Sequence, residues 1–490
     1  MKKLIACLLA LSLLTVLPAG AEETLVIHAE LAPKTQEETL SMLSAAAEAY
    51  FSDAALVEEL RGEISVEEIT DPFETGEGEV YRLCTLTHQG QTMRFLMGQN
   101  GEPGENGRYP LYITLHGGGG GAPEGNDVQW FMMYEYYRPA VKNGIYVACR
   151  GITDTWDLHF RPESYPLYDR LIQAMIYLYQ ADPNRVYLLG FSAGGDGVYQ
   201  IAPRMADRFA AANMSSGHPN GVSLRNLYSC PFSIQVGVRD YYSESALRCI
   251  RAAEFENTLT AYHDQLGSGY THQVLIHVPE GHNYNDYEDT QTEVLTDPAA
   301  YADPAITEAM LVRFLEAFEA TADGYGVSSL SYYGEGENEA FDGEIRRIVK
   351  EEFHLDTAFV NANAVAYVSQ FTRDPAPKTV VWDLSTRAAS RDVTSFYWLR
   401  ADASVNQGVI TASLIGDNAL SVKTENVNGD FSILVNPLLL DVSRPIRIET
   451  AEGVYEVQVN PSPETLLASI RETGDPSLAW AAEIPLSMLH

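Results

Sequence analysis

The chain has 490 residues, 46% of them hydrophobic and 20% charged, the balance of a globular protein with enough apolar material for more than one folding unit. Its 67 acidic side chains against 32 Lys and Arg leave a formal net charge of −35. That field repels phosphate backbones and anionic lipid surfaces, which excludes nucleic acid as a partner and fits a solubilised surface on an exported protein.

Taken in chain order, Lys2 and Lys3 precede an apolar run from Leu4 to Leu17, and the small residues Ala19, Gly20 and Ala21 follow. This reads as a secretory signal peptide over residues 1–21, cut near Ala21, with the mature protein extracellular, periplasmic or on the cell surface. The run falls short of the roughly 20 residues of a spanning helix, so no integral membrane segment is expected in the mature chain. Cys84, Cys149, Cys230 and Cys249 have neither Cys-x-x-Cys spacing nor neighbouring His at zinc-finger distance, so no metal site is expected.

Residues 22–75 read as an N-terminal helical extension, with apolar residues at helical spacing from Thr35 to Arg61. Between residues 76 and 322 the period changes. Val80–Leu86 and Gln91–Leu96 alternate around Gln89-Gly90 as a hairpin, and then short apolar runs alternate with helical stretches. The expected strands are 111–115, 144–148, 186–189, 232–238 and 273–278; the expected helices are 167–179, one after Ser192, 243–265 and 306–318. Strand, helix and strand in repetition predict a mostly parallel sheet with helices on both faces. Gly and polar residues over 323–339 read as a linker, 340–462 as an all-β, immunoglobulin-like sandwich of short strands, and 463–490 as a tail with one helix.

The chemistry concentrates in the α/β unit. Strand 186–189 runs into Gly190-Phe191-Ser192-Ala193-Gly194-Gly195 and a helix follows. This G-x-S-x-G turn exposes a Ser oxygen over a helix N-terminus, with Gly where neighbouring backbone approaches closely. A Ser nucleophile needs a base, and the base needs an acid to orient it. His282 follows strand 273–278 and is the expected base; His272 precedes that strand and His277 lies within it. Asp240 follows strand 232–238 and is the expected acid, ahead of Asp196, Glu280 and Asp286. The run His116-Gly117-Gly118-Gly119-Gly120-Gly121 closes strand 111–115, and Gly117 or Gly118, with Ala193, is expected to donate backbone N–H groups to an oxyanion. His116, Trp156, His159 and Arg161, on the same rim of the sheet, are candidate substrate contacts.

On these motifs, with Gly237-Val238-Arg239-Asp240 and Gly281-His282, the stretch from Tyr109 to Tyr284 resembles the α/β-hydrolase superfamily, in its esterase and polyhydroxyalkanoate-depolymerase-like branch. The resemblance implies hydrolysis of carboxylic esters, of small molecules or polymers such as carbohydrate esters, through an acyl-enzyme on Ser192 with no cofactor. A serine peptidase of the same fold is the alternative activity. A non-catalytic glycan-binding protein, holding polysaccharide through Trp382, Tyr397 or Trp398, is the alternative of another class.

Overall fold

The computed structural model describes residues 24–70, 73, 80–241, 247–325, 329–331 and 338–489. The expected signal peptide and most of the expected linker lie outside these residues. A short strand β1 (Leu25–Ile27) opens the described chain, followed by α1 (Gln36–Phe51) and α2 (Ala54–Glu63). A Thr35–Glu38 capping box starts α1 and the Asp53 carboxylate caps α2, each satisfying amides that a helix leaves open at its first turn. Then come β2 (Ile64–Thr70), β3 (Val80–His88), β4 (Gln91–Asn100), β5 (Tyr109–Leu115), α3 (Pro123–Tyr137) and β6 (Gly144–Cys149). The next elements are α4 (Ser164–Leu178), β7 (Ala181–Phe191), α5 (Ala193–Arg204), β8 (Ala211–Ser215), β9 (Phe232–Gly237), α6 (Arg248–Leu266), β10 (His272–His277) and β11 (Gln291–Leu295). Helices α7 (Pro304–Tyr325) and α8 (Glu339–Arg347) lead to β12 (Thr357–Asn361) and α9 (Ala364–Val368).

Eleven strands form one sheet in the order β12-β11-β10-β9-β8-β7-β5-β6-β4-β3-β2. The six from β10 to β6 are parallel; both edges are antiparallel. Parallel neighbours need crossovers, and the crossover helices bury both faces of the sheet. Strand alternation divides the core accordingly. Leu111, Ile113 and Leu115 pack with Tyr165, Leu171 and Val198 from α4 and α5, while Tyr112, Tyr187 and Leu189 pack with Trp130 and Phe131 of α3 and Val365 of α9. Fully burying each such side chain contributes about 1.5–3 kcal/mol. The sharp strand–turn–helix at β7–α5 sets the G-x-S-x-G segment at the end of a central parallel strand, the context that motif requires.

The chain then makes two more sheets. Strands β13 (Thr379–Asp383), β16 (Val409–Gly416), β17 (Ala419–Glu425), β19 (Ile446–Glu449) and β20 (Val454–Val459) form one with β1; β14 (Ser395–Phe396), β15 (Leu399–Arg400), β18 (Ser432–Val435) and β21 (Ala482–Pro485) form the other. Helix α10 (Pro463–Thr473) packs on α1.

These pairings revise the expected boundaries. The segment 22–75 is not an independent helical extension, because β1 pairs in parallel with β20 and β2 pairs with β3. Residues after 340 do not all belong to the β-rich part: β12 zips onto β11 from Thr357 to Asn361, and α9 covers the sheet face beside α3. The tail supplies β21 to the second small sheet. Parallel β17–β19 and β1–β20 pairs also depart from the antiparallel sheets of an immunoglobulin-like sandwich.

Buried ion pairs lock these sheets to the central one. Arg391 Nε meets Asp169 at 2.7 Å and its Nη1 meets Asp207 at 3.3 Å, and Arg373 meets Asp475 at 2.6 Å. Trp382, Tyr397 and Trp398 lie in the same core at 3%, 2% and 0% exposure. They leave no aromatic face for a polysaccharide, which removes the basis of the glycan-binding alternative. Among the described residues no helix is long and apolar enough to cross a membrane, and Cys84, Cys149, Cys230 and Cys249 are buried free thiols.

Candidate active site

Strand β7 ends at Phe191 and α5 begins at Ala193, so Ser192 carries the whole reversal. Its φ of 58° and ψ of −119° lie in a region a non-Gly residue enters at a cost of about 1–3 kcal/mol. Two close approaches explain the flanking glycines. A Cβ on Gly190 would stand 2.3 Å from Gly194 O, and one on Gly194 would stand 2.0 Å from Leu115 O. The turn thus seats Ser192 Oγ at the positive end of α5, where developing negative charge is stabilised.

The structure brings the three expected side chains together. Ser192 Oγ lies 2.9 Å from His282 Nε2, and His282 Nδ1 lies 3.0 Å from Asp240 Oδ2. An ionised carboxylate only accepts, so Nδ1 carries the imidazole proton and Nε2 is left to accept from the Ser192 hydroxyl. His282 is 3% exposed and Asp240 fully buried. Burial alone would raise the Asp240 pKa, but the charge and hydrogen bond of His282, then Arg248, then Ser331, outweigh it and hold the group below the usual carboxylate range. Arg248 Nη1 and Ser331 Oγ donate to Oδ1 at 3.3 and 3.2 Å, and nothing in the local sequence marked either residue for that place.

Close packing at the ends of β9 and β10 lets the Asp240 and His282 loops meet: a Cβ on Gly237 would stand 1.9 Å from Gly281 O. Hydrogen bonds to its backbone then hold His282. His282 N–H donates to Ser331 O at 2.7 Å, and Ser216 Oγ donates to His282 O at 2.7 Å.

The glycine loop after β5 lies against Ser192, with the Cβ position of Gly117 3.3 Å from Ser192 Cβ. Gly117 and Gly118 line the same pocket as Ser192 and His282. Gly118 has φ +99°, a conformation that glycine enters without a Cβ penalty. Asn126, which the sequence pattern did not single out, pins this loop by accepting the Gly119 N–H at 2.7 Å and donating to Asp154 at 2.9 Å.

The substrate-contact candidates fare differently. His116 and His159 are buried at 0% and 1% exposure and hold backbone. Gly151 N–H donates to His116 Nε2 at 3.1 Å, which leaves Nδ1–H to donate to Gly117 O at 2.6 Å; His159 Nε2 donates to His116 O at 2.9 Å. Burial keeps both imidazoles neutral, pushing His159 down to about 4 and His116 well below its ordinary value. Arg161 pairs with Asp157 at 3.4 Å and Glu163 at 3.7 Å. Trp156 is exposed, with its indole edge-on to Phe160. None of the four lines the pocket beside Ser192.

Both rival bases and two of the three rival acids are engaged elsewhere, while Glu280 lines the same pocket as Ser192. His272 pairs with Glu256, and His277 is buried with Nε2 3.0 Å from Gln235 Oε1. Asp196 accepts the His218 N–H, and Asp286 accepts three hydroxyls away from His282. The pocket itself measures about 820 Å³ and takes its far wall from Met132, Met133 and Tyr136 of α3, a helix with no clear apolar period in its sequence.

No family model and no curated protein matches the chain. Among solved structures it is similar to a poly(3-hydroxybutyrate) depolymerase from Bordetella parapertussis, with 18% identity over 41% of this chain and 84% of that chain and a TM-score of 0.33. It is also similar to an S-formylglutathione hydrolase from Agrobacterium tumefaciens, with 15% identity over 50% of this chain and 98% of that one and a TM-score of 0.32. A ferulic acid esterase gives 16% identity, 45% and 92% coverage and a TM-score of 0.29.

Proposed function

We propose that this chain is a serine hydrolase that cleaves carboxylic esters through an acyl-enzyme on Ser192. The observation that carries the reading is the continuous hydrogen-bond chain from Ser192 through His282 to Asp240, set on a strained turn at the edge of an open pocket. Ser192 Oγ attacks the ester carbonyl while His282 Nε2 takes its proton, and the Asp240 carboxylate balances the imidazolium. The tetrahedral oxyanion is met by the N–H of Ala193 and that of Gly117 or Gly118. His282 then returns the proton to the departing alcohol, and a water activated by the same imidazole releases the acid.

The leader read in residues 1–21 supports action outside the cell, and carbohydrate or polymer esters are the substrates that fit that setting. The β-rich sheets after residue 379, joined by β1, would then be an accessory module of sandwich type bolted to the catalytic unit by Arg373 and Arg391.

Hydrolysis of p-nitrophenyl acetate by the purified mature protein, beside Ser192→Ala at matched folding, tests the reading. Activity should fall by a factor of about 10⁴ or more in the variant. Inert native protein that a fluorophosphonate fails to label at Ser192 would sink it. A matched anilide separates esterase from peptidase, and the ester should be the faster substrate.

A further inference from the structure

We infer that the pocket beside Ser192 is built to hold a flat aromatic arm of the ester, and that Asp286 is the positioning residue that fixes its wall. This rests on the esterase reading above. At about 820 Å³ the pocket lies well within the range of sites that enclose drug-sized ligands and is far larger than an acetyl group requires. Its wall is a chain of rings: Tyr287 lies 4.5 Å from Tyr136 between centroids, Tyr136 lies 5.6 Å from Phe191, and Phe191 lies 5.4 Å from His282. Met132, half exposed, and Met133 add thioethers from the same helix as Tyr136. Ring edges, ring faces and polarisable sulfur are the surfaces that a planar π system meets best.

Asp286 gives this wall its rigidity. The carboxylate is fully buried and accepts three hydroxyls from two elements: Tyr136 at 2.8 Å and Tyr137 at 2.9 Å from α3, and Ser215 at 2.5 Å from the end of β8. Ser215 also accepts, on its carbonyl, the Ser192 N–H at 2.9 Å. Asp286 stands four residues beyond His282 in the same loop, and its own carbonyl accepts the Ala364 N–H at 2.7 Å. One carboxylate therefore connects the pocket wall, the base loop and the nucleophile turn, so Tyr136 is placed before any substrate arrives. A wall ordered in advance loses less freedom on binding and discriminates by shape.

The pocket borders both the glycine loop and His282, so both arms of the ester are tested. Methyl cinnamate is compared with methyl butyrate, and benzyl acetate with butyl acetate, each rate being divided by that of base hydrolysis. The native protein should favour the aromatic ester at least tenfold in kcat/KM in one pair. Tyr136→Ala should erase that ratio; Asp286→Asn and Tyr136→Phe should each cut it threefold or more, through KM rather than kcat. Native protein with no aromatic preference in either pair, or a preference that survives all three variants, overturns the inference. If Asp286→Asn does not fold, Tyr136→Phe and the native ratio decide. Cleavage of alkyl esters without aromatic preference sinks this inference alone, whereas no cleavage of any ester and no fluorophosphonate label on Ser192 removes the esterase reading and this with it.

Discussion

Changing Asp240 to Asn alters one proton and almost no volume, yet the surroundings of the carboxylate dictate a large effect. Oδ2 faces His282 Nδ1 at 3.0 Å, while Oδ1 receives Arg248 Nη1 at 3.3 Å and Ser331 Oγ at 3.2 Å. An Asn side chain has one oxygen and one NH₂ to distribute over these two sides. The guanidinium and the hydroxyl both donate, so the oxygen turns to them and the NH₂ faces His282. Nδ1 must then accept, the imidazole proton moves to Nε2, and Nε2 can no longer take the Ser192 proton. We expect kcat on p-nitrophenyl acetate to fall about 10⁴-fold, equivalent to about 5.5 kcal/mol of barrier, with fluorophosphonate labelling of Ser192 slowed alongside and the circular dichroism unchanged. A loss smaller than tenfold in a folded variant would refute the reasoning, because Arg248 and Ser331 would then not be governing the tautomer.

Asp240 also predicts a pH effect on stability: its folded pKa is held below the ordinary value, so its contribution is complete above about pH 4 and is lost as pH falls further. Urea midpoints of the native protein should therefore fall more steeply below pH 4 than those of Asp240→Asn. Burial pushes His277 down to about 3, so between pH 6.5 and 3 the unfolded chain binds a proton that the folded one refuses. Native stability should decline by about 1.4 kcal/mol per pH unit in that window from this residue alone, and His277→Gln should lose that part of the slope; parallel curves would contradict the assignment. Arg391→Ala removes the guanidinium that Asp169 and Asp207 share in the buried junction, leaving Asp169 with Arg208 Nε at 3.4 Å, and should cost about 3–5 kcal/mol in urea unfolding. Because Arg391 touches none of the reacting groups, kcat of the folded fraction should hold; a cost below 1 kcal/mol would mean that the junction does not depend on this pair. Gly194→Ala drives a methyl to 2.0 Å from Leu115 O and should destabilise by at least about 1–3 kcal/mol, read as a lowered melting temperature together with lost esterase activity.

The candidate nucleophile, base and acid were legible because each is a chemically distinctive residue at the end of an apolar strand, and because the glycines beside Ser192 answer a steric demand visible in the chain itself. Strand β8 was not: Ala-Ala-Asn-Met-Ser has no β-branched residue, and burial between β7 and β9 supplies the order that propensity does not. Thr357–Asn361 was not singled out as a strand, and only the pairing with β11 reveals which sheet it joins; β1 likewise meets β20 across most of the chain. His116 and His159 looked like substrate contacts because an imidazole in a polar, glycine-rich rim has the same local signature whether its ring faces solvent or staples a carbonyl; burial decides, and burial is a property of the assembled loops. The same limit applies with more force to Asp286. Its neighbours in sequence suggest only a second carboxylate near a His, whereas its bonds come from a helix 150 residues earlier and a strand end 71 residues earlier. A candidate triad is therefore announced by residue type at fixed places in the topology, while the network that shapes the pocket around it exists only where three separate elements meet, and the specificity of this site is expected to reside in that network.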